Sequence, residues 1–224
     1  MSEAKFRAVL FDLDGTLVDT APDLVATLMA LRARRGLPVL DSSLFRHHAS
    51  RGALGLLEAG FVDQPEFQPS SLRAEFLDHY ASNLWNSSRP FDGVENALAE
   101  LAGMGFELGI VTNKPAFLTV PLLVQAGWSD LFGCVISGDT TARAKPHADP
   151  VLEACRRLAL DPASCLFIGD DRRDVQAGRA AGVATAVAGW GYLAPGESAD
   201  AWGADWQLSS PGDLLELLAE GILE

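Results

Sequence analysis

Short, mainly apolar runs recur at residues 6–11, 106–111, 134–137, 165–169 and 183–187, with helix-patterned stretches between them. Such runs are too short for helices, and they lack the polar alternation of a strand with one wet face, so they read as parallel strands buried on both sides. The intervening segments 93–103, 117–127, 149–160 and 174–182 carry apolar residues at helical spacing and often stop at glycine, as crossover helices do. Residues 205–208 and 211–219 add a last short strand and helix. The alternation predicts an α/β fold, with a Rossmann-like three-layer parallel-sheet core.

One connection breaks the rhythm. Roughly ninety residues separate the first run from the second, where a single crossover needs only about 10–12. The excess contains no convincing strand but several amphipathic stretches, which predicts an inserted α-helical cap over 16–90, with the core formed by 1–15 and 91–224. Leu24, Leu28 and Leu31 share one face of its first helix, Thr20 and Asp23 fit a capping box at its start, and Pro22 suits its first turn. Further helices are expected over 50–59 and 70–85, joined by a turn-rich stretch at 62–69.

The 224 residues are 48% hydrophobic, enough to bury a full core, and the net charge is −13. That charge argues against a nucleic-acid groove or an anionic membrane surface, both of which need clustered Lys and Arg. No stretch approaches the roughly 18 apolar residues of a membrane span, so the cytoplasm is the expected location. Cys134, Cys155 and Cys165 form no paired motif and are expected to be buried, reduced thiols.

In an open parallel sheet, ligands gather beyond the carboxyl ends of the strands, so the residues that follow each run are the ones to compare. Four runs end in polar clusters: Asp12-Leu13-Asp14-Gly15-Thr16, Thr112-Asn113-Lys114, the stretch 138–145 ending in Lys145, and Gly169-Asp170-Asp171-Arg172-Arg173-Asp174. Each has an ordinary explanation when taken alone. Aspartates after strands cap helices, Thr112 and Asn113 can open a turn before Pro115, and a lysine before proline is usually solvated. Together they would place several carboxylates on one sheet edge, an arrangement that repels itself unless a cation joins it, and oxygen-rich sites suit Mg²⁺.

These clusters, Asp12-x-Asp14-Gly15-Thr16, Thr112, Lys145 and Gly169-Asp170-x-x-x-Asp174, resemble the four motifs of the haloacid dehalogenase superfamily, in its phosphoglycolate phosphatase-like branch with a helical cap. The resemblance covers essentially the whole chain. It implies that Asp12 is a nucleophile forming a phospho-aspartate, that Asp14 is the general acid and base, and that Thr112, Asn113 and Lys145 hold the phosphoryl group. It implies Mg²⁺ on Asp12, the Asp14 carbonyl and Asp170, with Asp174 binding a metal-bound water or Lys145. Asp171 departs from the serine or threonine common in that branch; it either supports the metal shell or caps the following helix.

In this branch the cap chooses the leaving group, and Arg51 and Gly52, in His47-His48-Ala49-Ser50-Arg51-Gly52, are the candidates for contacting a carboxylate or sugar hydroxyls. The Trp190-Gly191-Tyr192 segment, together with Trp202-Gly203-Ala204-Asp205, is similar to bacterial N-acetylmuramic acid 6-phosphate phosphatases, where aromatic faces would either pack on a sugar or anchor the fold. The expected partner is therefore a small phosphorylated metabolite. The alternatives are a sugar phosphomutase of the same superfamily and a phosphate-ester-binding protein without turnover. A dehalogenase is disfavoured by Asp14, and phosphonate hydrolysis by the want of an evident cap lysine.

Overall fold

A computed structural model describes residues 6–194 and 196–220. Residues 1–5, 195 and 221–224, which the sequence assigns to the core, lie outside the described residues. In chain order the elements are β1 (Ala8–Phe11), β2 (Val18–Asp19), α1 (Ala21–Arg34), a 3₁₀ segment (Ser42–Arg51), α2 (Gly52–Gly60), α3 (Pro69–Ala81), β3 (Arg89–Pro90), α4 (Val94–Gly103), β4 (Glu107–Val111), α5 (Ala116–Gln125), β5 (Cys134–Ile136), α6 (Asp149–Leu158), β6 (Cys165–Gly169), α7 (Arg172–Ala181), β7 (Ala184–Ala188), β8 (Trp206–Leu208) and α8 (Pro211–Glu220).

Six strands form one parallel sheet in the order β5-β4-β1-β6-β7-β8, with β1 inside it. All four β1 residues are buried, and they feed two cores. Val9 and Phe11 face the layer that holds α4, α5 and α8, while Ala8 and Leu10 face α6 and α7. This double burial is why the strands read as continuous apolar runs. The register brings the strand ends level: Phe11 stands opposite both Ile110 and Ile168, so Thr112 and Asp170 both fall opposite Leu13, one step beyond Asp12. No helix among the described residues is long and apolar enough to cross a membrane.

Between β1 and α4 the chain builds a helical cluster. Leu24, Leu28 and Leu31 of α1 pack with Leu56 and Leu57 of α2 and with Phe76 and Tyr80 of α3 in a continuous apolar core. Gly60 lets α2 approach α1 closely, since a side chain there would strike Leu28. Arg32, almost fully buried, closes the end of α2 by donating to the Gly60 carbonyl, and also reaches Pro38 O at 3.3 Å and Asp63 at 3.4 Å. A guanidinium suits that position because helix carboxyl ends carry unpaired carbonyls and partial negative charge.

Three local expectations need correction. The insert does contain strands: β2 and β3 pair antiparallel at its neck, Val18 with Pro90 and Asp19 with Arg89, too short and too charged to be read from hydropathy. Thr20 and Asp23 do not form a capping box. Thr20 has α-region torsions (φ −94°, ψ −7°) rather than the extended ones a cap requires, and its hydroxyl donates to Asp14. Asp23 accepts from the Ser87 and Ser88 amides and the Ser88 hydroxyl at 2.7–3.1 Å, tying the first turn of α1 to the returning chain. Finally, the stretch before α2 is a 3₁₀ segment, and α3 ends at Ala81 rather than at 85.

Candidate active site

The strand ends set the floor of a cavity of about 150 Å³, lined there by Asp12, Asp14, Thr112, Lys145 and Asp174. Asp12 continues β1, with its amide bonded to Ile168 O at 2.8 Å. The Lys145 ammonium lies 2.8 Å from Asp12 Oδ1, 2.6 Å from Asp174 Oδ1 and 2.8 Å from Val111 O. Burial alone would depress this lysine, but the charges of Asp12 and Asp174 prevail and push it up to about 12. It therefore stays a cation with all three donors used.

Asn113 fixes that ammonium from behind. Its side-chain amide donates to Lys145 O and accepts from Lys145 N, each at 3.0 Å, so the loop carrying Lys145 is held by a reciprocal pair. Asn113 also borders the cavity, where its second amide hydrogen is left to donate. Thr112 is buried beside the cavity, and its hydroxyl accepts from Lys114 N at 3.2 Å.

Asp14 has two partners that were not anticipated. Thr20 Oγ1 donates to it at 2.6 Å, and Lys114 Nζ donates at 2.9 and 3.2 Å. Lys114 also donates to the Tyr80 hydroxyl at 3.1 Å and lies 4.6 Å from the centre of its ring, so a lysine of the sheet edge grips an aromatic from α3. The signal for Lys114 was its place directly after Thr112-Asn113; Tyr80 was indistinguishable from a core residue of an amphipathic helix.

Carboxylate oxygens of Asp12, Asp170 and Asp174 lie within 4.8 Å of one another, all buried. Burial, then the charges of Asp12 and Asp174, raise Asp170 well above the usual carboxylate range. Asp174 is raised by burial to about 7, even though Lys145 pulls it down. Asp170 is held by Thr16 Oγ1 at 3.1 Å and by the Tyr192 amide at 2.9 Å, and Gly15 and Gly191 leave no room for a side chain against it. Four carboxylates thus face the ammonium groups of Lys114 and Lys145, and the fully ionised set would carry an excess of two negative charges, which adds to burial in raising Asp170 and Asp174 when no cation is bound. Hard oxygen donors with that excess fit a divalent cation such as Mg²⁺.

Asp171 does not join this set. It caps α7, accepting from the Arg173 amide and guanidinium at 2.8–2.9 Å, while Asp174 closes the capping box by accepting from Asp171 N at 3.0 Å. Arg173 reaches on to Ser50 O at 2.6 Å and so links α7 to the insert beside the cavity mouth.

Above the floor, Leu24, Ala49, Leu54, Leu77 and Tyr80 make an apolar wall. Arg51 and Gly52 border the cavity as expected, but the exposed Arg51 guanidinium pairs with Glu58 at 2.6 Å. Trp190 and Tyr192 are absent from the cavity lining and serve the frame instead. Trp190 Nε1 donates to Thr16 O at 2.9 Å. The Tyr192 hydroxyl accepts from the Thr20 and Ala21 amides at 2.7 and 2.9 Å and donates to Asp19 at 3.0 Å, supplying α1 with the cap its own residues do not.

Comparison with known proteins agrees with this architecture. The chain is 40% identical, over the full length of both, to an N-acetylmuramic acid 6-phosphate phosphatase of Pseudomonas aeruginosa. It is 41% identical to a phosphoglycolate phosphatase of Xanthomonas campestris pv. campestris, covering 94% of this chain and 95% of that one. A crystal structure described as a predicted phosphoglycolate phosphatase from Haemophilus somnus 129PT superposes with a TM-score of 0.84 at 30% identity, over 96% of this chain and 99% of that one. The model of the haloacid dehalogenase-like hydrolases matches residues 6–182. With this sheet and these strand-end clusters, the chain belongs to the haloacid dehalogenase-like hydrolase family.

Proposed function

We propose that this hydrolase is a Mg²⁺-dependent phosphomonoesterase that works through an aspartyl-phosphate, with residues 16–90 acting as a helical cap over a core of 1–15 and 91–224. The observation that carries this reading is the Lys145 ammonium bonded at once to Asp12 and Asp174 beside the buried Asp170. The Asp12 carboxylate attacks phosphorus while Lys145 offsets the repulsion between two anions. Asp14, held by Thr20 and Lys114, gives a proton to the departing alkoxide and then takes one from the water that hydrolyses the acyl phosphate. Thr112 borders the phosphoryl position, and the apolar wall excludes bulk water. Asp12, Asp170 and the Asp14 carbonyl would hold Mg²⁺, with Asp174 supporting the set; when bound, the ion supplies charge compensation at the phosphoryl oxygens.

The substrate is a small phosphorylated metabolite, with 2-phosphoglycolate and N-acetylmuramate 6-phosphate as the two esters that the relatives' names indicate. Release of p-nitrophenol from p-nitrophenyl phosphate, measured with Mg²⁺ and with a chelator, tests the reaction. Metal-dependent release and an acid-stable, hydroxylamine-labile phosphoryl-enzyme are expected; metal-independent turnover would sink the assignment.

A further inference from the structure

Among the arginines at residues 16–90, those at positions 32, 34, 35, 46 and 51 are each ion-paired, and Arg89 bonds a backbone carbonyl. Arg73 differs. It is exposed, borders the catalytic cavity, and has no hydrogen bond or ion pair among the described residues. In a chain of net charge −13, an uncommitted guanidinium at the mouth of an anion-consuming cleft is the group left available for a second anionic substituent.

Its place on α3 adds a length. Arg73, Leu77 and Tyr80 fall at helical spacing and all line the cavity. Tyr80 marks the catalytic end, since its hydroxyl meets Lys114 next to Asp14. Seven residues of α-helix place position 73 about 10 Å farther along the axis. In 2-phosphoglycolate a single carbon separates the carboxylate from the ester oxygen, far short of that span. A hexose 6-phosphate bearing an acid on the opposite side of its ring matches it, and the intervening Leu77 and Leu54 offer the ring an apolar wall.

We infer that Arg73 selects the leaving group by binding a carboxylate held one hexose ring away from the phosphoryl group. This inference rests on the phosphatase assignment above and names the substrate class for that site: a phosphorylated sugar acid. Arg51, committed to Glu58, does not carry this role.

The test is kcat/KM, with Mg²⁺, for N-acetylmuramate 6-phosphate, for N-acetylglucosamine 6-phosphate, which lacks only the acidic ether substituent, and for 2-phosphoglycolate. Wild type should prefer the first. Arg73→Gln should shrink the ratio between the two sugar esters roughly tenfold, chiefly through KM, and Arg73→Lys should restore part of it. An unchanged ratio in Arg73→Gln, a collapse of the ratio in Arg51→Ala instead, or a larger loss on 2-phosphoglycolate than on the sugar acid would each overturn the inference. Failure of wild type on all three while it still hydrolyses p-nitrophenyl phosphate would overturn this inference alone, whereas failure on p-nitrophenyl phosphate as well would sink the phosphatase assignment. Arg73 is exposed, so loss of folding is not expected to confuse the result.

Discussion

On the floor of the cleft Asp12, Asp174 and Lys145, with Asp170 beside them, are buried and bonded to other groups, whereas the wall above is lined by Leu54, Leu77 and Arg73, which has no ion pair among the described residues. No buried side-chain nitrogen or oxygen among the described residues lacks a partner, so the floor's geometry is set before a substrate arrives. The wall meets the floor through Lys114 to Tyr80 and Arg173 to Ser50. The difference teaches where change is tolerated. A floor of mutually bonded charges cannot lose one member without exposing another, while the exposed wall positions Leu54 and Arg73 can exchange side chains at little cost to the fold.

The sharpest way to break this contrast is Asp12→Asn, which should lower kcat for p-nitrophenyl phosphate by at least about a thousandfold while leaving the circular dichroism spectrum unchanged. Lys145→Met should follow with a loss on the order of a hundredfold. The same lysine has a stability signature. Folding raises it from 10.5 to about 12, so its protonated form adds stability at every pH below 10.5, and that contribution is lost as the pH rises through 12. Urea titrations near pH 9 and near pH 12 should differ by about 2 kcal/mol more in wild type than in Lys145→Met. A matching pH response in both proteins would show that the floor is less tightly coupled than its distances imply.

A smaller effect is expected where the wall is hinged. Tyr192→Phe removes the acceptor of two amides at the start of α1 but keeps the Tyr192 amide on Asp170. Stability should fall by about 1–2 kcal/mol in denaturant titration, with the Mg²⁺ concentration for half-activation unmoved. A shift in that concentration would mean that the hydroxyl, and not only the backbone, positions Asp170. Smallest of all, Arg51→Ala should alter stability by less than about 1 kcal/mol, since its pair with Glu58 is exposed. A larger change in a thermal melt would give that corner of the wall a structural role.

The floor was more legible in the sequence than the wall, for a physical reason. Strands buried on both faces leave unbroken apolar runs, and the residues that follow them must gather at one edge. The links between insert and core left no such trace. Thr20-x-x-Asp23 and Asp171-x-x-Asp174 both have the spacing of a helix cap, yet only the second is one, because Thr20 has the wrong backbone torsions and the Tyr192 hydroxyl, distant in sequence, takes its place. Aromatic rings such as Trp190 and Tyr192 can stack on sugars or anchor a fold, and their bonds to Thr16, Thr20 and Asp170 make them anchors. Tyr80 sits at an apolar position of α3, and nothing local distinguishes a tyrosine that fills a core from one whose hydroxyl meets a lysine from another layer.

The register of the three central strands acts as a ruler. Thr112 and Asp170 stand level with each other and one residue ahead of Asp12. A strand side chain changes face with every step. Deleting one residue from β6 would therefore turn the Asp170 carboxylate to the opposite face, into the place of Gly169, where Asp174 leaves no room for a side chain, and would set Asp171, the partner of Arg173, in the place of Asp170. The lengths of these strands are thus metered by the chemistry at their ends as well as by the packing at their middles, and an insertion or deletion that hydropathy would pass as harmless is one the reaction would not survive.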